Sequence, residues 1–146
     1  MTRDVIVVPP ELTLASAWHV MTRERIRHLP VVRAGALIGM LSDREVLARG
    51  TIAKDGSLHV PVHMTVGEAM TRTPLDTCGA DTPVADLTCT MIERKVDAIA
   101  VVRGLRLVGL VTSTDLLSLL LQREGRGATD PLPFEFHLLE DPRLYA

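Results

Sequence analysis

Apolar positions along this chain follow two rhythms that alternate. Val5–Val8 is a short apolar run that reads as a strand. Leu14, Ala17, Trp18 and Met21 then fall at i, i+3, i+4 and i+7, one face of a helix. Two β-rich runs follow, Leu29–Arg33 and Leu37–Leu41, split by Ala34-Gly35-Ala36. Glycine between apolar runs marks a hairpin. A second helix begins at Ser42, so the order is β-α-β-β-α. The same order returns later. Thr82-Pro83 reads as a cap followed by proline at the first helical position, with Val84, Leu87 and Met91 on the helix face. Ile99–Arg103 and Leu107–Val111 flank Gly104, and another helix begins at Thr112.

The two passages are one unit written twice. Shifted by 70 residues, positions 14–47 fall on 84–117 without a gap. Ala15, Met21, Val31, Val32, Arg33, Leu37, Gly39 and Leu47 meet identical residues. Met1-Thr2-Arg3 echoes Met70-Thr71-Arg72 once one residue is skipped. Internal repetition decides the fold class before any single element does. The chain therefore divides into a first repeat over 1–49, a linker over 50–64, a second repeat over 65–122 and a tail over 123–146. Thr65 and Glu68 have capping-box spacing and predict a short helix leading into the second repeat, without a counterpart before the first. The tail holds Pro131, Pro133 and Pro142 and reads as irregular, with a short strand at Phe134–Leu138. Its aromatic residues suggest docking on the body or on a partner. Neither repeat alone buries enough surface for comfortable stability, so the two are expected to pack together.

Composition narrows the function. The chain has 146 residues, is 47% hydrophobic and carries a formal net charge of -2. It shows no basic stripe, and its body holds only Trp18 as a flat side chain, which argues against nucleic acid. No apolar run is long enough for a membrane span and no signal pattern opens the chain, so a cytoplasmic protein is expected. Cys78 and Cys89 fit no zinc or redox spacing and are expected to be reduced, semi-buried thiols. His59 and His63 have i, i+4 spacing, but Pro61 between them argues for a loop rather than a metal-binding helix.

The residues with chemistry stand where the hairpin passes into the next helix. One set is Gly109-Leu110-Val111-Thr112-Ser113-Thr114-Asp115, and its counterpart is Gly39-Met40-Leu41-Ser42-Asp43-Arg44-Glu45. In each, a hydroxyl residue is followed three positions later by a carboxylate. A helix N-terminus offers free N–H groups and partial positive charge, which suit phosphate. A carboxylate on the first turn can accept two hydrogen bonds from a ribose diol. The same spacing is also how a helix caps itself, and Ser42 with Glu45 fits a capping box directly. Thr112 with Asp115 fits it less well, because glutamate or glutamine is the preferred partner.

The repeat, the element order, the Met-Thr-Arg openings, the Leu29-Pro30-Val31 strand and the Gly-x-x-Thr-x-x-Asp ending together resemble a tandem pair of cystathionine β-synthase (CBS) domains. The resemblance covers roughly residues 1–49 and 65–122. It implies an α/β fold of two β-α-β-β-α repeats packed with pseudo-twofold symmetry, and a homodimer. It further implies an adenosyl ligand (AMP, ADP, ATP or S-adenosylmethionine) in a cleft between the repeats, with Mg²⁺ as a possible companion of a polyphosphate. Carried over residue by residue, Leu110, Thr112, Thr114 and Asp115 form one side of the stronger site. Asp115 holds the ribose, and Thr112 and Thr114 touch ribose or phosphate. Ile6 and Ile26 surround the base, and Arg27 and His28 lie near the phosphates. His28 adds charge below about pH 6.5. Taken alone, Arg27 and His28 also read as exposed polar residues between a helix and a strand.

A second, weaker site would use Met40, Ser42, Arg44, Glu45 and Val96, beside Leu75, Asp97 and Ala98. Here Glu45 replaces the usual aspartate, and Asp97 stands where Arg27 stands in the first and would repel phosphate. One competent site and one weak one are expected. The sequence thus reads as a regulatory sensor for an adenosyl ligand that acts on a regulated partner protein. The alternative is a ligand-free scaffold in which the same residues only cap helices. No P-loop, nucleophile motif or metal cluster points to an enzyme, so no catalytic residue or catalytic cofactor is expected.

Overall fold

In the computed structural model, residues 5–73 and 75–125 are described. They fall into two compact units, one holding Ile6–Leu75 and the other beginning at Asp76. The expected Phe134–Leu138 strand, His137 and the Met1-Thr2-Arg3 opening lie outside the described residues.

The first unit opens at Val7 and Val8, both fully buried. Val8 makes a parallel bridge to Val31: its N–H donates to the Pro30 carbonyl at 3.1 Å, and its own carbonyl accepts from Val32 N–H at 3.0 Å. The expected Val5–Val8 strand is therefore shorter than its apolar run. Helix α1 (Leu14–Glu24) follows. Thr13 caps it by accepting from Ser16 N–H at 3.2 Å, which satisfies one of the orphan amides of the first turn. Leu14, Ala17, Val20 and Met21 form its buried face. Arg25 ends it in the left-handed region at φ 55°, ψ 43°, and strand β1 (His28–Arg33) begins three residues later. The hairpin partner β2 (Ala36–Ser42) returns antiparallel through a two-residue turn in which Ala34 and Gly35 both have positive φ, 50° and 79°. Such a turn matches the twist of the paired strands. Helix α2 (Asp43–Arg49) closes the repeat and turns Val46 inward.

Two features of the segment from 50 to 75 were not in the sequence pattern. Strands β3 (Thr51–Ile52) and β4 (Leu58–His59) form a small hairpin where a plain linker was expected. Gly56 at φ 83° and the Asp55 side chain, which accepts from Ser57 N–H at 2.9 Å, shape its turn. His59 thus lies on a strand and is exposed. Helix α3 (Val66–Ala69) has the expected capping box between Thr65 and Glu68. Those bonds hold the Glu68 carboxyl below its ordinary value. Val66, Ala69 and Met70 pack in one core with Leu14, Met21, Leu29, Leu41 and Val46. The helix that precedes the second repeat in sequence therefore completes the core of the first. Strand β5 (Thr71–Arg72) then adds to β2, with Gly39 opposite Arg72 and Met40 opposite Thr71.

The second unit repeats this plan. Strand β6 (Thr77–Cys78) pairs parallel with β7 (Ala98–Arg103), and Cys78 faces Val101 as Val8 faces Val31. Helix α4 (Val84–Arg94) lies between them in sequence and ends at Lys95 with φ 55°, ψ 42°. β8 (Arg106–Thr112) pairs antiparallel with β7, from Ala98 opposite Thr112 to Arg103 opposite Arg106. Both hairpins carry a register irregularity, between Val31 and Val32 in one and Val101 and Val102 in the other. Helix α5 (Ser113–Gly125) closes the unit over a core of Leu87, Met91, Ile99, Val101, Val108 and Val111.

The start of α4 corrects the expected proline position. Pro83 is the cap residue and not the first helical one, and it makes no side-chain cap bond. The offset of 70 places Pro83 on Thr13, so the second copy has lost the side-chain cap that the first one has. The Thr82 hydroxyl instead accepts from Gly79 N–H at 3.1 Å.

Gly39 is the tightest point of the first sheet. A Cβ there would meet the Met70 sulfur and lie 2.8 Å from the Thr71 carbonyl oxygen. Gly39→Ala must push β5 off β2, and overpacking of this kind costs about 1–3 kcal/mol. Urea unfolding should show that loss of stability with an unchanged denaturant slope.

Candidate functional site

Both repeats build the same junction, where the loop entering one hairpin strand meets the helix leaving the other. In the first, Asp43 N–H donates to the Arg27 carbonyl at 2.9 Å; in the second, Ser113 N–H donates to the Asp97 carbonyl at 2.9 Å. His28 lies opposite Ser42 across one hairpin, and Ala98 lies opposite Thr112 across the other. The expected residues of each repeat are thus gathered at one end of its hairpin. Ile26, Arg27 and His28 stand with Ser42, Arg44 and Glu45. Val96, Asp97 and Ala98 stand with Thr112, Thr114 and Asp115. Ile6 and Ile26 are half-buried against the first core, Val96 against the second, and Met40 and Leu110 are half-buried on β2 and β8. The stronger expected set draws Ile6, Ile26, Arg27 and His28 from one unit and Leu110, Thr112, Thr114 and Asp115 from the other.

The two hydroxyl–carboxylate motifs cap their helices by the same scheme. Glu45 Oε2 accepts from Ser42 N–H at 2.7 Å and from the Ser42 hydroxyl. Asp115 Oδ2 accepts from Thr112 N–H at 2.8 Å and from the Thr112 hydroxyl at 2.9 Å, while Asp115 N–H donates to that hydroxyl at 3.3 Å. Aspartate therefore closes the box as well as glutamate does, although its spacing looked less favourable.

The remaining carboxylate oxygens separate the motifs. Glu45 Oε1 accepts from the Thr71 hydroxyl at 3.0 Å, which ties α2 to β5. In the second repeat the bonds to Thr112 use Oδ2, and Oδ1 lies outside them on an exposed side chain. Thr114 is exposed beside it. The longer glutamate reaches a neighbouring strand; the shorter aspartate keeps an oxygen at the helix N-terminus, where N–H groups and partial positive charge favour anions.

Charge at the junctions differs between the copies. Arg27 Nε donates to Asp43 Oδ2 at 3.0 Å, so the guanidinium expected near phosphates is engaged within its own repeat. The second copy has Asp97 and Ser113 at these two positions. Sequence reasoning missed Asp43. The signal available was the repeat itself, because the offset of 70 pairs Arg27 with Asp97 and Asp43 with Ser113. Asp43 Oδ1 is buried and has no hydrogen-bond partner, a condition rare in folded proteins and able to receive a donor. Burial raises the Cys78 thiol above its ordinary value, which disfavours its thiolate. Cys89 is exposed, contrary to the semi-buried expectation, because it lies off the α4 face formed by Leu87 and Met91. Among the described residues no helix is long and apolar enough to cross a membrane.

Two α/β repeats with matching strand–cap–helix junctions define a tandem-repeat α/β fold. The CBS domain family description matches residues 1–50 and 66–122, and the chain belongs to that family. It is 30% identical over 129 residues to the CBS domain-containing protein YhcV of Bacillus subtilis, covering 88% of this chain and 87% of YhcV. Among solved structures it resembles CBSX2 in complex with AMP, with 25% identity, a TM-score of 0.69 and coverage of 82% of this chain and 90% of that one. It also resembles the CBS domain pair of MJ0100 in complex with 5′-methylthioadenosine and S-adenosyl-L-methionine. That match has 25% identity, a TM-score of 0.68 and coverage of 82% and 90%. Against the larger inosine-5′-monophosphate dehydrogenase of Mycobacterium leprae the chain spans only 21% of the length, at 34% identity and 80% coverage of this chain.

Because Glu45 links the Ser42 cap to Thr71, its loss should exceed that of either partner. Glu45→Ala should cost about 1–2 kcal/mol through the cap, and Thr71→Val about 0.5 kcal/mol through a single exposed hydrogen bond. A double-mutant cycle by urea unfolding should give less than the sum, because both changes remove the same bond.

Proposed function

We propose that the chain is a regulatory sensor that binds an adenosyl ligand through groups drawn from both repeats. The observation that carries this reading is the exposed Asp115 side chain, whose Oδ1 lies outside the cap formed by Thr112. A ribose diol donates two hydrogen bonds, and a carboxylate with an available oxygen at a helix N-terminus accepts them. Thr112 and Thr114 add hydroxyls for ribose or phosphate. Leu110, Ile6 and Ile26 supply an apolar lining for a base. Arg27, with its guanidinium shared with Asp43, supplies charge for phosphates, and His28 stands beside it. The AMP complex of CBSX2 and the S-adenosyl-L-methionine complex of MJ0100 support this ligand class. In the weaker site, Glu45 is already bonded through both oxygens to Ser42 and Thr71, so Met40, Ser42, Arg44, Glu45 and Val96 form the poorer set. A ligand regulates a partner only through its differential affinity for two shapes of the sensor.

A thermal-shift screen with AMP, ADP, ATP, S-adenosylmethionine and NAD tests the reading. A ligand at 100 times its Kd should add about 2.7 kcal/mol of stability. Asp115→Ala should lower the ligand-free midpoint, since the cap is lost, and should also abolish the ligand shift. Glu45→Ala should lower the midpoint yet keep the shift. If no adenosyl compound moves the midpoint of the unsubstituted chain, the scaffold reading replaces the sensor. Titration calorimetry showing two equal sites per chain would remove the asymmetry.

A further inference from the structure

Asp43 stands at the first junction without belonging to the proposed ligand set. Its two carboxylate oxygens are held differently. Oδ2 accepts from Arg27 Nε at 3.0 Å, while Oδ1 is buried without a hydrogen-bond partner. Among the described residues, Arg27 is the cation that answers this charge. The Asp43 side chain is 23% exposed and that of Arg27 59%. The carboxylate thus lies mostly inside the junction, where losing its partner would leave a largely desolvated charge uncompensated. That loss costs more than parting a fully exposed pair.

The fold does not need a carboxylate at this place. The offset of 70 puts Ser113 on Asp43, and Ser113 N–H makes the same 2.9 Å bond to its junction carbonyl as Asp43 N–H does. The junction therefore closes through the backbone with either residue. What the aspartate side chain adds is its hold on Arg27. Arg27 supplies the fixed positive charge of the proposed ligand set, and Asp115 brings a negative one. A phosphate that takes the guanidinium wholly must strip Asp43 of its partner. A phosphate that shares it meets a pair already close to neutral. Each further phosphate adds negative charge and finds no further fixed cation in the set.

We propose that Asp43 is a specificity-determining residue: by holding Arg27, it makes the chain favour adenosyl ligands with one phosphate or none over polyphosphates. This selectivity rests on the adenosyl ligand proposed for the chain and narrows its class. Asp43 is a positioning residue, which acts by limiting what Arg27 offers to a ligand.

Titration calorimetry of the full chain with 5′-methylthioadenosine, AMP and ATP, without divalent cations, tests this. The unsubstituted chain should bind ATP no more tightly than AMP. Asp43→Asn should raise the affinity for ATP by about tenfold relative to that for 5′-methylthioadenosine. Asp43→Ser, which installs the residue of the second copy, should do the same. Combining Arg27→Gln with Asp43→Asn should remove the gain, because Asp43 acts through Arg27. A merely structural role would change all three ligands alike, and that result overturns the proposal. ATP bound about tenfold more tightly than AMP by the unsubstituted chain also overturns it and leaves the adenosyl reading standing. So does a gain that persists without Arg27. If none of the three compounds binds the unsubstituted chain, the adenosyl reading fails and this selectivity fails with it. Circular dichroism establishes that each variant is folded. Should the Asp43 variants not fold, the comparison of ATP with AMP in the unsubstituted chain still decides.

Discussion

Each repeat depends on one weld: the first amide of its closing helix donates to the carbonyl of the residue that precedes its hairpin. The bond is 2.9 Å from Asp43 to Arg27 and 2.9 Å from Ser113 to Asp97. It locks the turn after α1 or α4 to the start of α2 or α5. The hydroxyl–carboxylate caps sit on the adjacent residue and hold the third amide of the helix. A helix N-terminus must satisfy its donors somewhere, and this corner supplies acceptors for the first and third amides. Any ligand chemistry it carries is displayed from this frame.

The frame is duplicated and its chemistry is not. An aspartate at 115 closes the cap through Oδ2 and leaves Oδ1 outside it, while a glutamate at 45 closes the cap and reaches Thr71 on β5. One methylene thus separates an exposed carboxylate from one bonded through both oxygens inside its own unit. The change from Arg27–Asp43 to Asp97–Ser113 compounds the difference. Capping and ligand recognition are not rival roles for these residues. The cap orients the carboxylate, and the spare oxygen determines whether there is anything left to offer.

Much of this was legible beforehand for a physical reason. Apolar periodicity and an offset of 70 are local and repeated, so the helices, both hairpins and the Thr65–Glu68 capping box could be read from residue spacing. Where reading failed, a partner distant in sequence decided. Val8, at the end of the Val7–Val8 run, is tied to the hairpin by a parallel bridge to Val31. The β3–β4 hairpin consists of two-residue strands, too short to show alternation. Asp43 carried no role in the sequence pattern because its partner, Arg27, lies 16 residues away.

The sequence by itself determined the doubled α/β unit, the caps at Ser42, Thr65 and Thr112 and the identity of the residues at each junction. These follow from spacing, which the chain carries along its length. Only the tertiary structure decided which core α3 completes, which oxygens of Glu45 and Asp115 are occupied, and that Arg27 is bonded to Asp43. Those outcomes depend on distances between residues that spacing leaves open, because a side chain's partner is set by what folding brings beside it.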